Sequence, residues 1–90
     1  MSEVWTFLTN HARTLLHIAR DPNARMVDIA AEIGITERAV QQIVSDLESG
    51  GYIRRHRAGR RNTYEVNMNA SFRHPSEADH QVRELIYLFR

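Results

Sequence analysis

The side chains best suited to binding a ligand are five arginines in the short segment RRHRAGRR, residues 54–61. This segment contains no acidic residue and carries +5, whereas the other 82 residues hold seven arginines and eleven acidic residues and carry −4. Like charges packed so closely repel one another unless an anion offsets them. The segment therefore predicts a local anion site, for which a polyanion such as nucleic acid is the natural partner. A solvated surface loop is the alternative interpretation.

A second set of candidate binding residues lies just upstream, on residues 36–49. Apolar residues recur there at spacings of 3, 4 and 7, which predicts an amphipathic helix. The polar residues predicted to face away from the core are Thr36, Arg38, Gln41, Gln42 and Ser45. A helix fits the DNA major groove, where arginine pairs with guanine and glutamine with adenine. Without the basic segment beside it, this face would be only the polar side of a surface helix.

Helices must hold these two sets in place. Apolar spacing predicts three of them in succession, over residues 10–20, 27–33 and 36–49. Thr9 or Asn10 is the expected cap of the first, and Thr36 of the third. Gly34 is expected to end the second in a left-handed conformation, which glycine adopts easily. The second helix has no good capping residue before it.

The pattern then changes to alternation, which predicts a β-hairpin. Its strands are expected over residues 52–57 and 63–67, joined by a turn at 58–60. Arg54 and Arg55 fall on opposite faces of the first strand, so at most one of them points at a ligand. The hairpin arginines expected to bind it are Arg55, Arg57, Arg60 and Arg61.

A fourth helix is predicted from near Ser76 to the last residue, with Ser76 and Asp79 as its capping box. It carries more apolar surface than one domain is expected to cover, which predicts a homodimer assisted by the first helix and Trp5. The expected interface residues are Val82, Leu85, Ile86, Leu88 and Phe89. Packing of this helix on its own domain is the alternative. Near the other end, Val4, Trp5, Phe7 and Leu8 are too few to decide between a short strand and an early start of the first helix, and their expected role is packing.

Composition excludes several classes of protein. Ninety residues suit one domain, and no apolar run approaches the roughly 18 residues of a membrane span. The chain has no cysteine and therefore no disulfide or thiolate metal site, and its first residues do not read as a signal peptide, so a cytoplasmic protein is expected. We expect no catalysis, no cofactor and no metal. Asp79, His80 and Glu84 come nearest to a metal-sensing site, but they form only a weak pattern.

The order of these elements resembles the winged helix-turn-helix domain of transcription regulators of the MarR-like and ArsR-like kind. The resemblance is carried by DIAAEIGITERAVQQIVSDLESGGYIRR at 28–55 and AGRRNTYEV at 58–66. It implies a mainly α fold with a small β-hairpin (α+β), in which residues 1–70 form the DNA-binding domain and 71–90 a dimerisation helix of the same domain.

The resemblance also implies a function. The third helix would enter the major groove, and the wing, residues 54–66, would lie on the backbone or in the minor groove. A regulator of this kind, most simply a repressor, would bind a near-palindromic operator in double-stranded DNA as a homodimer. A protein-interaction module and a metal- or ligand-responsive sensor remain the alternatives.

Overall fold

The computed structural model describes residues 4–90. Within that range the chain forms four α-helices, one antiparallel hairpin and a short 3₁₀ turn. The elements are α1 (Asn10–Arg20), α2 (Met26–Ile33), α3 (Glu37–Ser49), β1 (Ile53–Ala58), β2 (Arg61–Val66) and α4 (Val82–Leu88). This arrangement confirms the predicted winged-helix α+β fold class. Every helix in the same range falls short of the length and apolar character needed to cross a bilayer.

The ends of the first three helices follow the local chemistry of the sequence. The hydroxyl of Thr9 accepts from the backbone N–H of Ala12 at the start of α1, and Thr36 caps α3 in the same way. Gly34 ends α2 with φ of +86°, and its N–H donates to the carbonyl of Ala30 at 2.8 Å. α2 begins at Met26, one residue before the predicted start, and has no side-chain cap.

A continuous apolar cluster joins the four helices to the hairpin. It contains Leu15, Ile18, Ile29, Ala30, Val40, Ile43, Val44, Leu47, Tyr52, Ile53, Tyr64, Val82 and Ile86. Burial of α3 along one side only leaves the opposite side free for other contacts.

The hairpin is longer toward its tip than predicted. Ala58 pairs with Arg61, so both belong to strands and the connection contains only Gly59 and Arg60. Gly59 has φ of +65°, the sign that a two-residue hairpin loop with glycine first requires. At the other edge of β2, the N–H of Tyr64 donates to the carbonyl of Pro22, which fastens the wing to the turn between α1 and α2.

The predicted start of the fourth helix is wrong. Residues 75–77 form a 3₁₀ turn, and α4 begins only at Val82. The reason is a backbone pairing that holds residues 80–82 extended: Phe72 donates to His80 at 3.1 Å, and Val82 to Ala70 at 2.8 Å. Ser76 and Asp79 consequently form no capping box. The N–H of Gln81 instead donates to the Glu84 carboxylate at 2.8 Å.

The expected packing of the N-terminal segment is also wrong for three of its four apolar residues. Val4 is exposed, as are Trp5 (74%) and Phe7 (89%), while Leu8 is half-buried. The two aromatic rings meet edge to face at 4.9 Å and have little other cover. The domain boundary at residue 70 stays a prediction, and residues 1–3 of the predicted first part lie outside the described residues.

Candidate nucleic-acid interface

The outward face of α3 is polar and open to solvent. All five residues predicted there are exposed: Thr36, Arg38, Gln41, Gln42 and Ser45. Helical spacing lines up Arg38, Gln41, Gln42 and Ser45 along one side, opposite the buried stripe, while Thr36 lies before the first turn as the N-cap. Thr36 caps the helix through its hydroxyl oxygen, while its hydroxyl hydrogen can still donate. Arg38 forms no ion pair with a carboxylate of residues 4–90, so its guanidinium is free to bind.

Two carboxylates border this face and attach it to different elements. At about 100° per residue, Asp46 lies on one edge of the face and Glu48 on the other. Asp46 accepts from His11 of α1 at 2.8 Å, and Glu48 accepts from Arg55 of β1 at 2.7 Å. The exposed face of α3 is thus flanked by α1 on one side and by the hairpin on the other.

Asp46 also contacts a side chain of the open face. Its Oδ1 accepts from Nε2 of Gln42 at 2.9 Å, while its Oδ2 faces Nε2 of His11. The hydrogen bond from His11, followed by that from Gln42, holds the pKa of the Asp46 carboxyl below its ordinary value. The group is therefore a carboxylate, which only accepts, and Nε2 of His11 must carry the proton in this contact.

The tip of the hairpin presents arginines without acidic partners. Within residues 4–90, Arg57, Arg60 and Arg61 form no ion pair with a carboxylate. Arg57 donates to the carbonyl of Gly59 at 3.1 Å, and Arg61 to that of Asn23 at 3.2 Å, contacts that leave both positive charges uncompensated. The tip therefore keeps a net positive charge that an anion can neutralise.

The two faces of the hairpin differ in their partners. Arg55 stands opposite Tyr64, and Arg54 opposite Glu65, which puts the two arginines on opposite faces as predicted. On the Arg54 face, His56 bonds Glu65 at 3.0 Å and thereby lowers the pKa of that carboxyl. On the other face, the ion pair of Arg55 with Glu48 makes this arginine the least available of the four predicted wing residues.

The predicted dimer residues fall into two groups. Val82 and Ile86 are buried in the core of their own chain, so they have no surface left for a partner, and the prediction needs correcting there. Leu85 is half-buried, Leu88 is 74% exposed and Phe89 is exposed, as is Tyr87 between them. The inward pair follows from the turn of α4, which places residues four apart on one side.

Sequence reasoning missed the two carboxylates of α3 that border its open face. The signal for Asp46 was its position four residues after Gln42, a spacing at which side chains on a helix meet. Glu48 and Arg55 were detectable only through the fold, because their contact joins separate elements. His80, part of the weak metal pattern, bonds Glu84 at 2.7 Å, and no group of three potential ligands suited to a metal occurs in the part of the chain that the structure describes.

Comparison with known proteins adds one match. A sequence model of the MarR family matches residues 6–61, more than half of the chain. The matched region runs from just before α1 to the first residue of β2, and it includes α3 with its open face. A search of curated proteins found no match.

Proposed function

The chain belongs to the MarR family, a family of winged helix-turn-helix transcriptional regulators, and from this premise we propose that it binds double-stranded DNA sequence-specifically and represses transcription by occupying an operator. Membership of the family supports the general role of a DNA-binding regulator rather than an enzyme. A DNA-binding regulator acts in the compartment that contains the genome, which supports the cytoplasmic location expected from the sequence.

The observation that carries the proposal is the pairing of an open polar helix face with an uncompensated cationic tip. The contact of Arg55 with Glu48 fastens β1 to one edge of that face. A helix in the major groove and a hairpin on the neighbouring backbone require this kind of adjacency. Both kinds of contact that DNA offers, base edges and phosphates, would then be met by one side of the molecule.

Each exposed side chain has a role in this arrangement. Arg38 forks onto O6 and N7 of a guanine, and Gln41 or Gln42 pairs with N6 and N7 of an adenine. Thr36 donates to a phosphate while it caps α3, and Ser45 lies further along the groove. Arg57, Arg60 and Arg61 bind phosphates or enter the minor groove. These wing arginines supply affinity, whereas α3 supplies sequence preference.

We further propose that two copies bind together. Each copy exposes apolar surface at Leu88 and Phe89 and, near the other end of the chain, at Trp5. Contact of this surface with water is unfavourable. Half-buried Leu85 adds to this surface. A twofold dimer would set its two α3 helices roughly 34 Å apart, one turn of DNA, on a near-palindromic operator.

The proposal is tested by removing the cationic tip. The triple variant Arg57→Ala, Arg60→Ala, Arg61→Ala is compared with wild type by fluorescence anisotropy on duplex DNA across a salt series. With three to five phosphates bound per subunit, log affinity of the wild type falls against log salt with a slope of roughly −5 to −9. The variant should bind at least about 100-fold more weakly near 0.1 M salt, with a shallower slope, because each lost phosphate contact removes roughly 0.9 from the slope.

A matched control separates the local charge from the total. The triple variant Arg20→Ala, Arg73→Ala, Arg90→Ala removes the same charge from exposed arginines outside α3 and the hairpin, and it should bind DNA almost as wild type does. Equal losses in the two triple variants would contradict the proposed wing. Unchanged DNA binding by the tip variant, with binding to an acidic protein surface instead, would favour a protein-interaction module.

A further inference from the structure

Asp46 connects His11 of α1 to Gln42 on the open face of α3. Its two oxygens are occupied by different elements, Oδ1 by Gln42 at 2.9 Å and Oδ2 by His11 of α1 at 2.8 Å. Gln42 is exposed and faces away from the core. The orientation of its amide is therefore set by a neighbour rather than by packing.

This contact determines which end of the amide points outward. A glutamine amide can present either its oxygen or its nitrogen by rotating about its last bond, whose torsion is only loosely restricted. A carboxylate accepts hydrogen bonds and cannot donate, so it binds the nitrogen end only. One N–H of Gln42 is used in this way, and the second N–H and Oε1 form no hydrogen bond with residues 4–90. Those two groups are the pair needed to recognise adenine through N7 and N6.

His11 completes the arrangement. Without a second partner, the half-exposed Asp46 side chain would rotate among its rotamers and carry Gln42 with it. The bond from His11 restricts that motion and ties it to α1, whose first turn follows the exposed Trp5–Phe7 pair. The contacts thus run from α1, through a carboxylate, to a side chain on the open face of α3.

From this geometry we propose that Asp46 is a positioning residue for base reading: it presents the Gln42 amide in one orientation and is itself held by His11. The inference rests on the proposed function, since it concerns how the same surface distinguishes sequences. It adds a specificity role for a residue that makes no base contact of its own.

The proposal predicts opposite effects on affinity and on selectivity. Asp46 places a negative charge beside a surface that meets phosphates, so its charge opposes binding to any DNA. The change Asp46→Asn keeps the shape, removes the charge and lets residue 46 pair with either end of the Gln42 amide. Affinity for random duplex should stay equal or rise by up to about 10-fold. Discrimination at the adenine should fall by about 3- to 10-fold, part of the range that one bidentate pair supplies.

A second carboxylate that bonds to α1, that of Glu32, provides a matched control. Glu32 of α2 accepts from Arg20 at 3.0 Å and lies 3.1 Å from His17, without a bond to the open face of α3. Glu32→Gln therefore removes the same charge and a comparable attachment of α1. It should leave base discrimination unchanged. His11→Ala should lower discrimination in the same direction as Asp46→Asn, but by less, because Asp46 keeps its bond to Gln42.

The experiment first selects preferred duplexes with the wild-type protein, and then uses Gln42→Ala to identify the base pair that Gln42 reads. Affinities for the preferred duplex, for a duplex changed at that pair and for random duplex are measured for each variant, with melting curves to confirm folding. Side-chain amide NMR gives an independent readout, since the ¹⁵N–¹H signals of Gln42, assigned by their loss in Gln42→Ala, should move in Asp46→Asn and not in Glu32→Gln.

The outcomes separate this inference from the function on which it rests. Equal losses for all three duplexes in Asp46→Asn would mean a purely structural role and would overturn the inference. So would unchanged discrimination, or a Gln42→Ala protein that keeps the full preference of the wild type. In each of these cases the proposed regulator still stands, whereas a wild-type protein that selects no sequence at all removes both proposals.

Discussion

Two helices of this chain leave one side uncovered, and the uncovered sides differ in chemistry. α3 buries four apolar residues and presents arginine, glutamine and serine to solvent. α4 buries Val82 and Ile86, but its last turn presents Tyr87, Leu88 and Phe89. Exposed polar groups are well solvated without a partner, whereas clustered apolar groups are more stable when another apolar surface covers them.

The difference indicates two kinds of partner. A polar face is stable in contact with water and can replace bound water by base edges and phosphates. Its binding then depends on salt through the phosphates and on sequence through the bases. An apolar face gains mainly from removal of its area from water, which depends little on salt. We therefore propose DNA as the partner of α3 and a second copy of the chain as the partner of α4, and the substitutions that follow test these two proposals and the ends of the two helices.

The largest effect is expected from the apolar side. Leu88→Gln with Phe89→Gln keeps the net charge and makes the end of α4 polar. If two copies bind one operator together, separating them removes the gain of joined binding, which is roughly 100- to 10,000-fold in affinity. Sedimentation should show the variant as a monomer at concentrations where wild type is a dimer, and operator affinity should fall within that range.

A control for polarity is Val27→Gln, which alters an exposed apolar residue on α2. It should leave the sedimentation behaviour unchanged. A wild-type protein that sediments as a monomer at high micromolar concentration would contradict the dimer directly. Loss of DNA binding in the α4 variant without any change of mass would show that the end of α4 acts in another way.

The next largest effect is expected on the polar side. Arg38→Ala removes a guanidinium that has no acidic partner in the described residues, so little stability is lost with it. Loss of a bidentate pair with guanine should lower discrimination at one base pair by about 1 to 3 kcal/mol. Arg38→Lys should keep the nonspecific affinity and only part of the discrimination, since an ammonium can donate to O6 and N7 but lacks the planar fork. Competition with single-base operator variants measures both; full discrimination in the alanine variant would exclude base reading by Arg38.

The same two helices show how far sequence reasoning extends. α3 was predicted well because its apolar spacing, its cap Thr36 and its end at glycine are all local. The capping pattern at Ser76 predicts a start of α4 several residues too early. The observed start follows from a backbone pairing between Ala70 and Val82, which only the fold creates. For the same reason, the polar face was predictable, whereas its borders at Asp46 and Glu48 depend on α1 and β1.

A smaller effect, on stability, is expected at the start of α3. The hydroxyl of Thr36 accepts from the N–H of Ala39 at 3.0 Å, and Thr36→Ala leaves that N–H without its cap. Unfolding free energy from denaturant titration should fall by about 1 kcal/mol. Thr36→Ser keeps the acceptor and should restore most of the loss. The loss should be the same from pH 5 to 8, because no charged group takes part; a pH-dependent loss would contradict the neutral cap.

The smallest effect is expected at the start of α4, where charged side chains stabilise the helix end, in contrast to the neutral cap Thr36 of α3. Hydrogen bonding and charge from Glu84 raise the pKa of His80, so this contact stabilises the fold fully below about pH 6.5 and is lost as pH rises through the raised pKa. The N–H of Gln81, followed by His80, lowers the pKa of Glu84, whose contribution is present above about pH 4.5 and is lost as pH falls further. Both contributions coexist between these values.

The melting temperature of His80→Gln should therefore lie furthest below that of wild type near pH 5.5, and the two should converge by about pH 8.5. A constant difference across that range would mean that the His80 side chain stabilises α4 by packing, as a neutral group, and the contrast between the two helix starts would disappear.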